Sequence, residues 1–317
     1  MQGQSAKPAP VYKEAPFFKR LAIDFQKHKY KYLLILPIIV YLILFCYKPM
    51  YGLVIAFKNY RPTRGIWGSN WVGFLWFETF FKDPYFWRLL RNTFTISGLT
   101  ILFGFPAPII LALLLNEVRS NKFKRTVQTI TYMPYFISLV VTCSLLKIYC
   151  MENGLFPQIM ELFGAQRQNL LANPKYFYPI YLLSDIWQGI GWNSIIYLAA
   201  LSGIDQEQYE AARIDGANRL QQVIHITLPG LMPTITILFI LRMGNILNVG
   251  YEKILLLYNP STYEVADVLS TYTYRTGLEN QQYSLSTAVG LFNTMVNVVF
   301  LLITNYISKK STESGLF

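Results

Sequence analysis

The chain has 317 residues, 53% hydrophobic and only 14% charged, which excludes an ordinary soluble domain. Its net charge of +11 does not argue for nucleic acid: no basic run is interleaved with stacking aromatics, and Lys/Arg enrichment is the usual mark of cytoplasmic loops between membrane spans. Three cysteines, Cys46, Cys143 and Cys150, without CxxC or metal spacing speak against a disulfide framework or a zinc site.

In chain order, residues 1–31 read as a basic cytoplasmic leader carrying no signal peptide, with an interfacial helix predicted near 17–25. The apolar blocks after it predict an all-α membrane protein with six transmembrane helices, at about 32–47, 92–115, 126–148, 177–201, 226–247 and 285–307. Lys48-Pro49 is read as the far end of the first span, and the apolar run 51–57 is too short to cross alone. The aromatics from Trp67 to Trp87 read as an interfacial belt more readily than as sugar-stacking platforms. The second span holds Gly98, Gly104, Pro106 and Pro108, breakers that neighbouring helices can accommodate in a membrane. Residues 248–283 read as a mixed, polar connection with turn signals, and 308–317 as a tail.

Basic residues orient the spans. With the N-terminus cytoplasmic, so are the loops 116–125 and 202–225 and the C-terminal tail, which together with the leader hold about fifteen of the 28 Lys and Arg. The 202–225 loop is polar yet has helical spacing. Residues 209–212 are good helix formers, and Gly216 can adopt the left-handed conformation that ends a helix. Ala211 and Ala212 allow close approach of another surface, Glu210 supplies one directional charge, and Pro229 stands near the start of the fifth span. A short helix, a turn and a stiff link into the membrane suit a segment that transmits a push.

Glu210-Ala211-Ala212, then Asp215-Gly216, then Ile226-x-Leu228-Pro229 match without a gap the EAA loop of bacterial ABC importer permeases. The chain after its leader resembles the binding-protein-dependent sugar permeases, within them the LplB-like oligosaccharide branch. Supporting stretches are 49–58, 104–108 with Leu115-Asn116-Glu117, 245–250 and 267–275. The resemblance implies a coupling helix made by Glu210, Ala211, Ala212, Asp215, Gly216, Ile226, Leu228 and Pro229. It implies a multi-pass protein of the bacterial cytoplasmic membrane that works with a second permease subunit, a cytoplasmic ABC ATPase dimer and an extracytoplasmic solute-binding protein to import oligosaccharide. ATP and Mg would be bound by the ATPase. This chain has no G-x-x-x-x-G-K-[ST] loop and no catalytic constellation, so it is expected to need no cofactor and to be no enzyme itself. A permease for a non-sugar solute and an ATPase-independent secondary transporter are the alternatives.

Polar residues inside spans are the candidates for the substrate path. Arg242 lies thirteen residues beyond Pro229, roughly 20 Å into the span, and Asn245 and Asn248 follow at helical spacing. Asp185, Gln188 and Trp192 share a face of the fourth span, and Asn293 and Asn297 a face of the sixth. Each could line a sugar path or only hold helices together, and Arg242 could pair with Asp185. An acidic oligosaccharide would make Arg242 a natural carboxylate partner.

Overall fold

The computed structural model describes residues 27–312 and 315–316; the predicted interfacial helix at 17–25 lies outside them. The chain divides into two compact units at Val54–Ile55. α1, Lys29–Phe57, provides most of what is described of the first unit. It runs through Lys48-Pro49 and takes in the apolar stretch 51–57, so the first helix is longer than the predicted 32–47. A π turn at Leu42–Tyr47 immediately precedes Pro49 and lets the helix continue through it.

The second unit begins with a two-residue antiparallel ribbon, Lys58–Asn59 against Asn70–Trp71, and a short helix α2, Leu75–Phe81. α3, Phe86–Glu117, is continuous through its glycines and prolines because a π turn at Thr100–Gly104 absorbs Pro106. The predicted third span is not a straight helix. α4, Asn121–Phe136, and α5, Leu139–Cys150, meet at 96°, with Pro134 in the last turn of one and Ser138 capping the other. After α6, Leu155–Leu162, comes α7, Pro174–Leu201, whose 28 residues are long enough to cross a bilayer. α8, Gln206–Ile214, precedes α9, Arg219–Met243, which holds a π turn at Val223–Thr227. α10, Tyr251–Leu257, α11, Tyr263–Ala266, and α12, Leu269–Tyr274, lead to α13, Tyr283–Thr312. Among the described residues four helices (α1, α3, α9 and α13) are long and apolar enough to cross a membrane, five spans if the bent pair α4–α5 counts as one.

Two departures from expectation matter for the site. The fifth span was expected to run to residue 247, but α9 ends at Met243, and residues 244–250 are turn and irregular backbone. Asn245 and Asn248 therefore do not continue a helical stripe. The 248–283 connection, in turn, is among the best buried parts of the molecule: Ile254, Ala266, Val268 and Leu269 are fully buried and pack with Ile96, Cys143 and Phe177 or with Phe80 and Leu89. Much of its polar composition is matched internally, although Ser270 Oγ is buried without a partner. Buried Asp267 accepts from both Arg275 nitrogens (Nη1–Oδ1 3.2 Å, Nη2–Oδ2 2.8 Å) and from Thr271 (2.8 Å), with Arg88 of α3 at 3.4 Å. That bond to Asp267 holds the Arg275 guanidinium pKa above its ordinary value.

α7 packs along the second half of α3 and across α4. The crossing with α4 is at backbone distance, since a Cβ on Gly191 would overlap the Thr131 carbonyl. α9 lies against α13.

Candidate substrate pathway and coupling loop

α8 is short enough to be marginal alone, so its ends are specified by side chains and backbone. Asp205 caps its start, accepting from Glu207 N at 3.0 Å. Its end is a Schellman motif: Gly216 N donates to Arg213 O (3.1 Å) and Ala217 N to Ala212 O (2.8 Å), with Gly216 at φ +79°. Nothing lies within 4 Å of a Cβ built on Gly216, so the backbone angle alone selects glycine. Two residues later Asn218 and Gln221 form a reciprocal capping box that starts α9. Tyr209 OH and Thr227 Oγ1, 3.0 Å apart, then tie α8 to α9.

No residue of α8 is buried. Glu210, Ala211, Asp215, Gly216, Leu228 and Pro229 are exposed, and Ala212 and Ile226 half-buried. Ile214 is 87% and Leu220 68% exposed beside them.

At the far end of α9, a cleft of about 610 Å³ opens between α3, α7 and α9. Four of the sequence candidates meet there: Asp185, Trp192, Arg242 and Asn245. Trp192 is backed by Tyr135, stacked at 4.6 Å between ring centroids and 5° between planes, with Phe136 edge-on at 5.6 Å. The cleft thus has an aromatic wall, a guanidinium, a carboxylate and an amide.

The anticipated Arg242–Asp185 pair does not form. Asp185 is taken by Lys253 (Nζ–Oδ1 3.3 Å), a residue the sequence reading passed over. Lys253 is buried; it also donates to Tyr181 O (3.2 Å) and lies over the Tyr181 ring (4.8 Å). Its burial pushes its pKa below the ordinary lysine value, while Asp185 pulls it back up. No carboxylate among the described residues lies within ion-pair distance of Arg242.

The remaining candidates hold the framework. Gln188 donates to Ile137 O (3.1 Å) and lies 3.5 Å from Thr142 Oγ1, satisfying the break between α4 and α5. Asn297 is buried and accepts from Leu247 N (2.9 Å), pinning the irregular 244–250 segment to α13. Hydrogen bonds between side-chain amides run on, each Nδ2 donating to the next Oδ1, from Asn297 to Asn293 (3.2 Å), Asn293 to Asn248 (3.1 Å) and Asn248 to Asn245 (3.2 Å), ending at the cleft. Ser97 holds the same segment from α3 through the Ile246 carbonyl. Among the described residues no group of three or more His, Cys, Asp or Glu is placed to hold a metal ion.

Residues 104–313 match the family described as "Binding-protein-dependent transport system inner membrane component". The chain is 45% identical to the polygalacturonan/rhamnogalacturonan transport system permease protein YteP of Bacillus subtilis (strain 168), over 94% of each chain. It is 44% identical to protein LplB of the same organism, over 92% of each. Among solved structures it resembles a chain of a bacterial ABC transporter involved in the import of the acidic polysaccharide alginate, at 44% identity and a TM-score of 0.85, covering 92% of this chain and 99% of that one. A second crystal structure, of a bacterial alginate ABC transporter in complex with alginate pentasaccharide-bound periplasmic protein, matches at a TM-score of 0.86 and 44% identity over 94% of this chain and 100% of that one. These matches set aside the secondary-transporter reading. With its all-α architecture and its helices long and apolar enough to cross a membrane, the chain belongs to the binding-protein-dependent transport system inner membrane component family and is an integral-membrane permease subunit of an ABC importer.

Proposed function

We propose that this chain forms half of the path by which an importer of the bacterial cytoplasmic membrane takes up oligosaccharides bearing carboxylates. It crosses the membrane six times with both termini cytoplasmic, beside a second permease subunit. A solute-binding protein delivers the sugar from outside, and a cytoplasmic ATPase dimer binds and hydrolyses ATP. The observation that carries the substrate class is Arg242, a guanidinium without a carboxylate partner in a cleft that also presents Trp192 and Asn245. A sugar ring can stack on the indole, its hydroxyls can bond the amide and Asp185, and its carboxylate fits the guanidinium fork. The names of the relatives, a polygalacturonan/rhamnogalacturonan transport permease and an importer of the acidic polysaccharide alginate, support that choice.

The coupling loop 202–225 seats α8 on the ATPase, with Glu210 pairing a basic residue and Ala211, Ala212 and Gly216 allowing close approach. Ile226, Leu228 and Pro229 stiffen the link to α9. The capping box and the Tyr209–Thr227 bond make α8 and α9 move together, and Arg242 stands 23 residues after Arg219, about 35 Å along the same helix. Displacement of α8 by the ATPase is thereby delivered to the wall of the cleft.

Proteoliposomes holding the complete importer test this reading. Uptake of a uronate oligosaccharide is expected to exceed that of the neutral sugar of equal length, and Arg242→Gln to remove most of the difference while assembly persists. Equal uptake of both sugars by the wild-type complex would refute the acidic-substrate assignment.

A further inference from the structure

A polar cavity of about 870 Å³ lies between the coupling loop and the end of α3, separate from the substrate cleft. Arg119, Arg213 and Arg219 line it, with Glu117 the one carboxylate in its wall. Tyr209, Asn218 and Gln222 also line it, but their polar atoms serve the loop itself: Tyr209 bonds Thr227, Asn218 belongs to the capping box, and Gln222 donates to Ala217 O at 2.8 Å. The arginines are not used in this way. Among the described residues none of the three is within ion-pair distance of a carboxylate, and no hydrogen bond engages any of the three guanidiniums. Three guanidiniums around one cavity repel each other, and an oxyanion with more than one acceptor oxygen relieves that repulsion through forked hydrogen bonds.

The height of the cavity identifies the oxyanion. Its rim includes Glu117, the last residue of α3, and Leu201, the last residue of α7. Where two membrane-crossing helices end together, the phosphates of the lipid headgroups begin. Lys122, Lys124 and Arg125 in the first turns of α4 add to the positive field at this level. We infer that this cavity is a binding site for the phosphate headgroup of an anionic phospholipid, held against the coupling loop by Arg119, Arg213 and Arg219. A lipid seated there contacts α8 and the start of α9, so occupancy braces the loop that meets the ATPase. The inference rests on the reading that α3 and α7 cross the membrane, and not on the identity of the sugar.

Native mass spectrometry of the assembled importer, purified from membranes containing phosphatidylglycerol, tests it. The wild-type complex is expected to retain phosphatidylglycerol in preference to phosphatidylcholine. The double variant Arg119→Gln/Arg219→Gln is expected to lose retention by more than tenfold, at about fivefold per guanidinium. The double variant Lys122→Gln/Lys124→Gln, at residues outside the cavity, serves as the charge-matched control and is expected to lose much less. Equal loss in the control, no loss in the double variant, or retention of no anionic lipid by the wild type overturns the site. Release of the lipid by millimolar inorganic phosphate would assign the cavity to a free anion and also overturn it. If the double variant does not assemble, a photoactivatable phosphatidylglycerol on the wild-type chain decides: labelling confined to 116–119 and 206–222 supports the site, and labelling elsewhere removes it. Failure of the chain to assemble with an ATPase would count against the proposed function, whereas the labelling pattern reports on the cavity alone.

Discussion

Lys253 Nζ stands 3.3 Å from Asp185 Oδ1, and this contact leaves Arg242 without its nearest candidate partner. The ammonium is buried, with its side chain 4% exposed, whereas the Asp185 side chain is 43% exposed and turned to the cleft. The pair is therefore asymmetric: a sequestered cation holds a carboxylate that substrate can still reach.

Removing either partner should expose that asymmetry. Lys253→Met leaves a half-solvated carboxylate and is expected to destabilise the complex by about 1–3 kcal/mol. It also releases Asp185 to Arg242, so uptake of an acidic oligosaccharide should fall. Asp185→Asn strands a buried ammonium and is expected to cost more, about 3–5 kcal/mol. Thermal denaturation of the double variant should recover most of the loss; additive losses would show that the two side chains act independently.

At the coupling loop, Gly216→Ala meets no steric neighbour and is opposed only by the positive φ, at about 1–2 kcal/mol. The chain should insert and assemble, with fewer sugars moved per ATP. Glu210→Arg should have the same signature without loss of stability, because Glu210 is exposed. The ratio of uptake to ATP hydrolysis in proteoliposomes is the readout, and a wild-type ratio in both variants would deny the loop its role.

The asparagine chain allows framework side chains to be told from those of the proposed path. Asn297→Ala leaves the buried Leu247 N–H without an acceptor and should lower stability by about 1–3 kcal/mol. Asn245→Ala, at the exposed end, should change stability by less than about 0.5 kcal/mol and appear in uptake instead. Melting curves and transport rates of the two variants should thus diverge.

Gly191→Ala places a methyl group on the Thr131 carbonyl at the α4–α7 crossing. The expected loss is about 1–3 kcal/mol, because backbone rather than a flexible side chain must give way. Gly290→Ala on α13, where nothing lies within 4 Å, should show no loss in the same thermal assay.

Several of these features were legible in the sequence because their causes are local. Apolar blocks locate α1, α3, α9 and α13, and Gly216 marks the end of α8. The 248–283 segment was not legible: Asp267, Thr271 and Arg275 look like surface residues until the fold brings them together and buries them. Lys253 was missed for the same reason, since its partner lies 68 residues away. The break at 137–138 and the end of α9 at Met243 depend on Gln188, Ser97 and Asn297, which reach them from other helices. Span lengths follow from composition, whereas breaks within them are set by distant partners.

The π turn at Val223–Thr227 carries a consequence for rotational phase. A π turn holds one residue more than regular α-helix, so it turns everything beyond it by about 100°. Arg242 faces the cleft only with that extra residue in place. Deleting one residue between 223 and 227 would leave α8, the capping box and every cleft side chain chemically unchanged. It would nonetheless swing Arg242 about a quarter turn away from Trp192. On the function proposed above, the loop and the cleft wall are indexed to each other like two gears keyed to one shaft, and a loop transplanted from a relative is expected to work only if it preserves the count of residues up to Arg242.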